Sequence, residues 1–175
     1  MADIRRKQDD LYEQTVAGYG KALGRLARAY EADPDKRRDL LQEIHVALWL
    51  SFERFEGRCS LKTWVYRIAH NTATSVVIRR KVRAPAFVGF EEVEGALQEE
   101  GADCVDQQEA LEHLWALIQK LKPQDKQVIL LYLEGTDAAS IGEITGLSPG
   151  NVSTKIHRIK NLLSRRFYEG EHRAE

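Results

Sequence analysis

Five histidines (His45, His70, His113, His157, His172) and two cysteines (Cys59, Cys104) are the residues best suited to acid–base, nucleophilic or metal chemistry. Their spacing supports none of it. No histidine pairs with an acid or a cysteine at metal-ligand spacing, and no Cys-x-x-Cys occurs. No glycine-rich phosphate loop is present. The expectation is a protein that is not an enzyme, with no catalytic residues, metal or cofactor. The chemistry that the spacing does support is ionic and hydrogen-bonding contact with nucleic acid, in two separate places.

The first place is residues 148–166. Asn151, Ser153, Thr154 and Lys155 are short or hydrogen-bonding groups, followed by Arg158, Lys160, Arg165 and Arg166, with no acid between Thr145 and Tyr168. Side chains of the first kind suit base edges and those of the second suit phosphates. The segment that must position them runs Ala138–Thr145, then Gly146-Leu147-Ser148, then Pro149 to about Tyr168. Ile141, Ile144, Leu147, Val152 and Ile156 have helix-turn-helix spacing. Gly146 supplies the positive φ of the sharp turn. Ser148 can cap the second helix, and Pro149 suits its first position. Such a helix enters the major groove N-terminus first. A helical hairpin with a solvated basic face is the duller reading of the same residues.

The second place is Arg58–Arg83, again without an acid. Arg58, Lys62, Arg67, Arg79, Arg80, Lys81 and Arg83 are interleaved with Trp64, Tyr66 and His70. Cations hold a strand's backbone while rings stack on unpaired bases. Each has a plainer role as well. Trp64 lies on an apolar stripe and reads first as core, and Arg79-Arg80-Lys81 complements a helix dipole.

The elements behind these residues read as helices throughout, so the fold class is all-α. Tyr12, Val16, Tyr19, Leu23, Leu26 and Tyr30 form one stripe of a helix over 10–32. Asp33-Pro34 restarts the chain, with Asp33 as cap, into a helix whose apolar set is Leu40, Leu41, Ile44, Leu48, Phe52 and Phe55. That helix also carries Asp39, Gln42, Glu43 and Glu53, an acidic side suited to a protein partner. Glu56-Gly57-Arg58 breaks it, and Ser60 caps a third helix reaching about Lys81. Three helices with short connections close a small bundle over 1–82. Residues 83–106 are acidic and aperiodic and read as a flexible linker. A second helical domain, 107–175, opens with Leu111, Leu114, Leu117, Ile118 and Leu121. Pro123 begins its next helix and Gly135 closes it.

The chain has 175 residues, 43% hydrophobic and 30% charged, with net charge −1. A near-zero sum excludes nothing, because basic faces can sit behind acidic segments. The N-terminus MADIRRKQDD carries no apolar stretch of the kind that directs export, and no run is long enough to span a bilayer. Free thiols and the lack of a leader lead to the expectation of a cytoplasmic protein without direct membrane insertion.

Two stretches resemble a known family. DLLQEIHVALWLSFERFEGRCSLKTWVYRIAHNTA (39–73) is similar to the second region of the sigma-70 family of RNA polymerase sigma factors. LEHLWALIQKLKPQDKQVILLYLEGTDAASIGEITGLSPGNVSTKIHRIKNLL (111–163) is similar to their fourth region. Without a folded third domain, the chain looks like the extracytoplasmic-function (ECF) group. The resemblance implies a transcription initiation factor that directs core RNA polymerase to promoters and aids melting. It places Asp39, Gln42 and Glu43 on the clamp of the polymerase's largest subunit. Arg58, Ser60, Lys62 and Trp64 fall where the family captures a flipped base of the −10 element. Tyr66, Arg67, Asn71, Arg79, Arg80 and Lys81 fall on the helix that contacts this element. Ser148, Asn151, Ser153, Thr154, Lys155 and Arg158 fall on the helix that reads the −35 element. The linker would thread polymerase channels, and an anti-sigma factor is the implied regulator. Leu61 replaces a frequent Phe, Cys59 a small polar residue, and Ser75–Ile78 lack the usual polar groups. A stand-alone helix-turn-helix repressor or response-regulator output domain, with 10–81 as a dimerisation or sensing module, is the alternative; it would bind DNA without polymerase.

Overall fold

A computed structural model describes residues 2–83 and 107–171, which form seven helices and no strand among the described residues. They are α1 (Ala2–Tyr30), α2 (Pro34–Ser51), α3 (Leu61–Arg83), α4 (Gln107–Gln119), α5 (Pro123–Leu133), α6 (Ala138–Thr145) and α7 (Pro149–Glu171), with a 3-10 turn at Phe52–Arg54 after α2. The acidic connection expected over 83–106 lies outside the described residues, apart from Arg83 at the end of α3.

The first helix begins eight residues earlier than its apolar stripe predicts. The reason is polar. Gln8 is buried and donates its side-chain amide to the Trp49 carbonyl at 3.3 Å. Asp9 accepts the Trp49 indole N–H at 3.0 Å. These bonds dock the first turns on α2, and a search for apolar periodicity does not register them. The stripe itself is imperfect, since Val16 is exposed while Thr15, Ala22 and Ala27 are buried.

Asp33 caps α2 as expected. Its carboxylate accepts from the Asp35 and Lys36 amides at 2.9 and 3.1 Å, with Pro34 in the first turn. Those bonds, Lys36 first, hold its carboxyl below the usual range. Helices α1, α2 and α3 close around Leu23, Leu26, Leu40, Ile44, Leu48, Phe52, Val65, Ala69 and Val76, all buried. Each large aliphatic side chain removed from water there contributes about 1.5–3 kcal/mol. The last four helices close around Ile118, Val128, Ile129, Leu131, Ile141, Ile144, Val152 and Ile159.

The two bundles, expected to be separate, pack against each other, α1 on α4 and α3 on α6. The seam is mostly polar. Arg25 pairs with Glu134, and Arg28 with Glu112 at 2.5 Å while lying over the Trp115 ring. Gln119 donates to the Arg28 carbonyl at 2.8 Å, and Arg67 donates to the Glu143 carbonyl. Tyr30 reaches the Pro123 carbonyl at 3.4 Å under the buried Lys126. Charged and amide groups of this kind read as solvated face in a sequence, which is why hydrophobic patterning divides the chain here.

Candidate nucleic-acid interface

The C-terminal surface is built by a chain of caps. Asp137 accepts the Ala139 and Ser140 amides at 3.0 Å and starts α6. Gly146 ends it with φ 77°, its N–H bonded to the Gly142 carbonyl at 2.8 Å. A Cβ on Gly142 would lie 2.6 Å from the Leu147 carbonyl oxygen, so α6 and the turn meet there with backbone only. Ser148 Oγ accepts the Asn151 amide at 3.3 Å and begins α7 behind Pro149. Val152 and Ile159 are buried, which fixes the roll of α7 and turns Asn151, Ser153, Thr154 and Arg158 outward.

Two of those side chains are already half committed. Ser153 Oγ donates to the Pro149 carbonyl at 3.1 Å, and Thr154 Oγ1 to the Gly150 carbonyl at 3.0 Å. With their protons engaged, both hydroxyls present lone pairs outward and act as acceptors. Acceptors match the amino groups of adenine and cytosine in the major groove. Lys155 is turned away from this face. Its ammonium lies 2.5 Å from the Asp125 carboxylate, and Arg158 approaches the same carboxylate at 3.5 Å. His157 and Asn161, which sequence reasoning passed over, are exposed on α7 and bonded to each other at 3.3 Å. The signal was available for Asn161, seven residues beyond Thr154 on the same helical face.

The N-terminal surface is divided by burial. Arg58 is exposed, paired with Glu56 at 2.6 Å in the loop before α3. Ser60 caps α3 by accepting the Thr63 amide at 3.0 Å, and Lys62 is half-buried. Trp64 is half-buried, its N–H on Ser51 Oγ at 2.9 Å and its ring 5.4 Å from Phe55. That matches its expected core role. Tyr66 and His70 do not form the aromatic platform that their interleaving with bases suggests. Tyr66 is buried edge-on to Tyr19, and burial, then the nearby Glu134 charge, pushes its hydroxyl up to about 12. His70 is fully enclosed beside Tyr30, and burial pushes it down to about 3. Both face the seam and neighbouring helices, because α3 is enclosed on more than one side. Arg67 is likewise engaged across the seam.

Further along α3, Asn71 and Arg79 come together on a shallow groove of 700 Å³ that also takes in Thr72, Ser75, Ile78 and Val82. Arg80 turns back onto Glu31 at 3.1 Å and the Lys36 carbonyl at 3.2 Å. Arg79 pairs with Glu43 at 2.8 Å, so the groove adjoins the acidic face of α2. Asp39, Gln42 and Glu43 are all exposed on that face. Val46 and Leu50 extend the same face and are 59% and 55% exposed, an apolar continuation that the acids conceal in the sequence. No cluster of metal-binding side chains occurs among the described residues, and no helix of theirs is long and apolar enough to cross a membrane.

An acid-poor helix-turn-helix on one bundle, and a second polar groove beside an exposed acidic face on the other, are the features of an all-helical DNA-binding factor. Comparison with known proteins agrees. Residues 15–83 match the model of sigma-70 region 2, and residues 111–163 match sigma-70 region 4. The sigma factor YlaC of Bacillus subtilis is 30% identical over 156 residues, 87% of each chain. SigW of the same organism, an ECF sigma factor, is 25% identical and covers 94% of this chain and 92% of its own. Among solved structures, CnrH in complex with the cytosolic domain of CnrY aligns over 96% of this chain and 94% of its own, with TM-score 0.68 at 20% identity. RpoE of Bartonella quintana, in complex with the anti-sigma factor NepR, gives TM-score 0.64 at 21% identity over 90% of this chain and 96% of that one.

The chain belongs to the sigma-70 family of RNA polymerase sigma factors, in its extracytoplasmic-function group. It is a transcription initiation factor that directs polymerase to promoters.

Proposed function

We propose that the face of α2 bearing Asp39, Gln42 and Glu43, extended by Val46 and Leu50, docks on the clamp of the largest subunit of core RNA polymerase. The loop at Arg58–Ser60 and the groove with Asn71 and Arg79 receive the −10 strand. Helix α7 enters the major groove of the −35 element with Asn151, Thr154 and Arg158 foremost. The observation that carries this reading is the exposed stripe of α7, fixed in roll by Val152 and Ile159 and started by Ser148. Trp64 and Arg80, both hydrogen-bonded within the bundle, support the −10 surface from behind, with half-buried Lys62 beside them. Region 2 spans 1–82 and region 4 spans 107–175, with 83–106 connecting them.

Regulation by an anti-sigma factor is the second part of the proposal. Its support is that RpoE, of similar fold, is seen with the anti-sigma factor NepR bound, and CnrH with the cytosolic domain of CnrY bound. The factor works in the cytoplasm, where polymerase is, without catalytic chemistry of its own.

A band-shift assay tests the reading against a stand-alone repressor. Promoter DNA should shift only when chain and core polymerase are both present. A sequence-specific shift by the chain alone would favour the repressor.

A further inference from the structure

We propose that Asp125 is a specificity-positioning residue of the −35 reader. It neutralises part of the positive charge of α7, so that DNA is held by base-edge contacts more than by phosphate attraction. The inference rests on the reading of α7 given above.

Helix α7 has no acid of its own before Tyr168, and a one-sign helix holds any DNA sequence. The fold brings an acid, Asp125, to it from 30 residues upstream of Lys155. Asp125 stands in the first turn of α5, where the positive helix end favours a carboxylate. Its two oxygens reach Lys155 at 2.5 Å and Arg158 at 3.5 Å. The Asp125 and Lys155 side chains are only 13% and 21% exposed, so this pair is sheltered from solvent screening, whereas Arg158 is 67% exposed. Lys155 is thereby withdrawn from the DNA face, and Arg158 is shared.

A phosphate approaching α7 must compete with Asp125 for both cations. The penalty is greatest on a mismatched duplex, where phosphate contacts alone hold α7. Base-edge bonds from Asn151 and the acceptor hydroxyls of Ser153 and Thr154 offset it only at the right sequence. A built-in repulsive element of this kind widens the gap between correct and incorrect sites.

The test uses the full chain assembled with core polymerase, and two duplexes. One carries a promoter selected from a library by the wild-type factor; the other has its −35 box shuffled. Asp125→Asn should raise affinity for the shuffled duplex by roughly five- to tenfold at 0.1 M salt and steepen the salt dependence by about one phosphate. Affinity for the promoter should rise less, so discrimination falls. In a Lys155→Met background the increment from Asp125→Asn should shrink to the Arg158 share. Asp125→Glu should retain wild-type discrimination. A residue serving only to brace α5 on α7 would lower the melting temperature and leave the salt slope unchanged. An unchanged slope in Asp125→Asn, or an undiminished increment in the Lys155→Met background, would overturn the inference. Should the wild-type factor select no promoter, the reading of α7 itself fails. The slope on a mixed-sequence duplex would then still decide whether Asp125 restrains phosphate binding.

Discussion

Arg25 grips Glu134 through two parallel hydrogen bonds, Nε to one carboxylate oxygen at 2.7 Å and a terminal nitrogen to the other at 2.8 Å. The pair joins α1 to the end of α5, and therefore region 2 to region 4. A fork-on-carboxylate contact carries more direction than a lone surface ion pair. The arginine is nearly half exposed, so the contact by itself contributes at most about 1 kcal/mol. Its consequence lies in what the seam covers: Tyr66 is buried and Arg67 is engaged beside it.

Glu134→Arg should therefore loosen the seam. Small-angle scattering of the full chain should register a larger radius of gyration than wild type. The exchange Arg25→Glu with Glu134→Arg should restore the compact value, because the swapped pair regains attraction. No expansion in the single variant would mean that the apolar and backbone contacts of the seam suffice.

His70 gives the fold a pH dependence. Its folded value is about 3, against an ordinary value near 6.5, because burial penalises the charged ring. The unfolded chain thus binds a proton between these values that the folded chain does not. The stabilisation is fully present above about pH 6.5 and falls as pH drops, by about 1.4 kcal/mol per unit until pH 3. His45, also lowered by burial, adds in the same direction. Urea unfolding at pH 6.5 and pH 5 should differ by about 2 kcal/mol more in wild type than in His70→Phe.

The turn of the helix-turn-helix depends on two glycines for different reasons. Gly146 is left-handed, and alanine there should cost about 1–2 kcal/mol in urea unfolding. At Gly142 the obstacle is space. Gly142→Val should displace the Leu147 backbone, tilt α7 and erase the difference between an intact and a shuffled −35 box in run-off transcription with core polymerase.

Asn151 and Arg158 should separate reading from holding. Asn151→Ala should relax preference at one or two −35 positions, costing about 1–3 kcal/mol of discrimination. Arg158→Met should weaken binding to all sequences alike and lower the salt slope by about one. Competition binding with single-base promoter variants distinguishes the two patterns.

Much of this was legible in the chain. Asp33-Pro34 and Gly146-Leu147-Ser148-Pro149 encode their helix boundaries locally, through caps and dihedral preferences, and each stands where expected. The acid-free run of α7 is equally local. What escaped depends on residues distant in sequence. Asp125 meets Lys155 across 30 positions, and Arg25 meets Glu134 across 109. Polar partners carry no periodicity, so such contacts leave no trace in a hydrophobic pattern. Tyr66 and His70 went inward because aromatic rings beside cations look alike whether they face a base or a core. Burial of α3 by α1 and the seam decides between the two.

Run-off transcription from a randomised promoter library tests the central claim most directly. Core polymerase supplemented with this chain should initiate at a discrete set of templates sharing two boxes at a fixed separation, whereas core alone should not. Initiation spread over the library without common boxes, in the presence of the folded chain, would contradict the account.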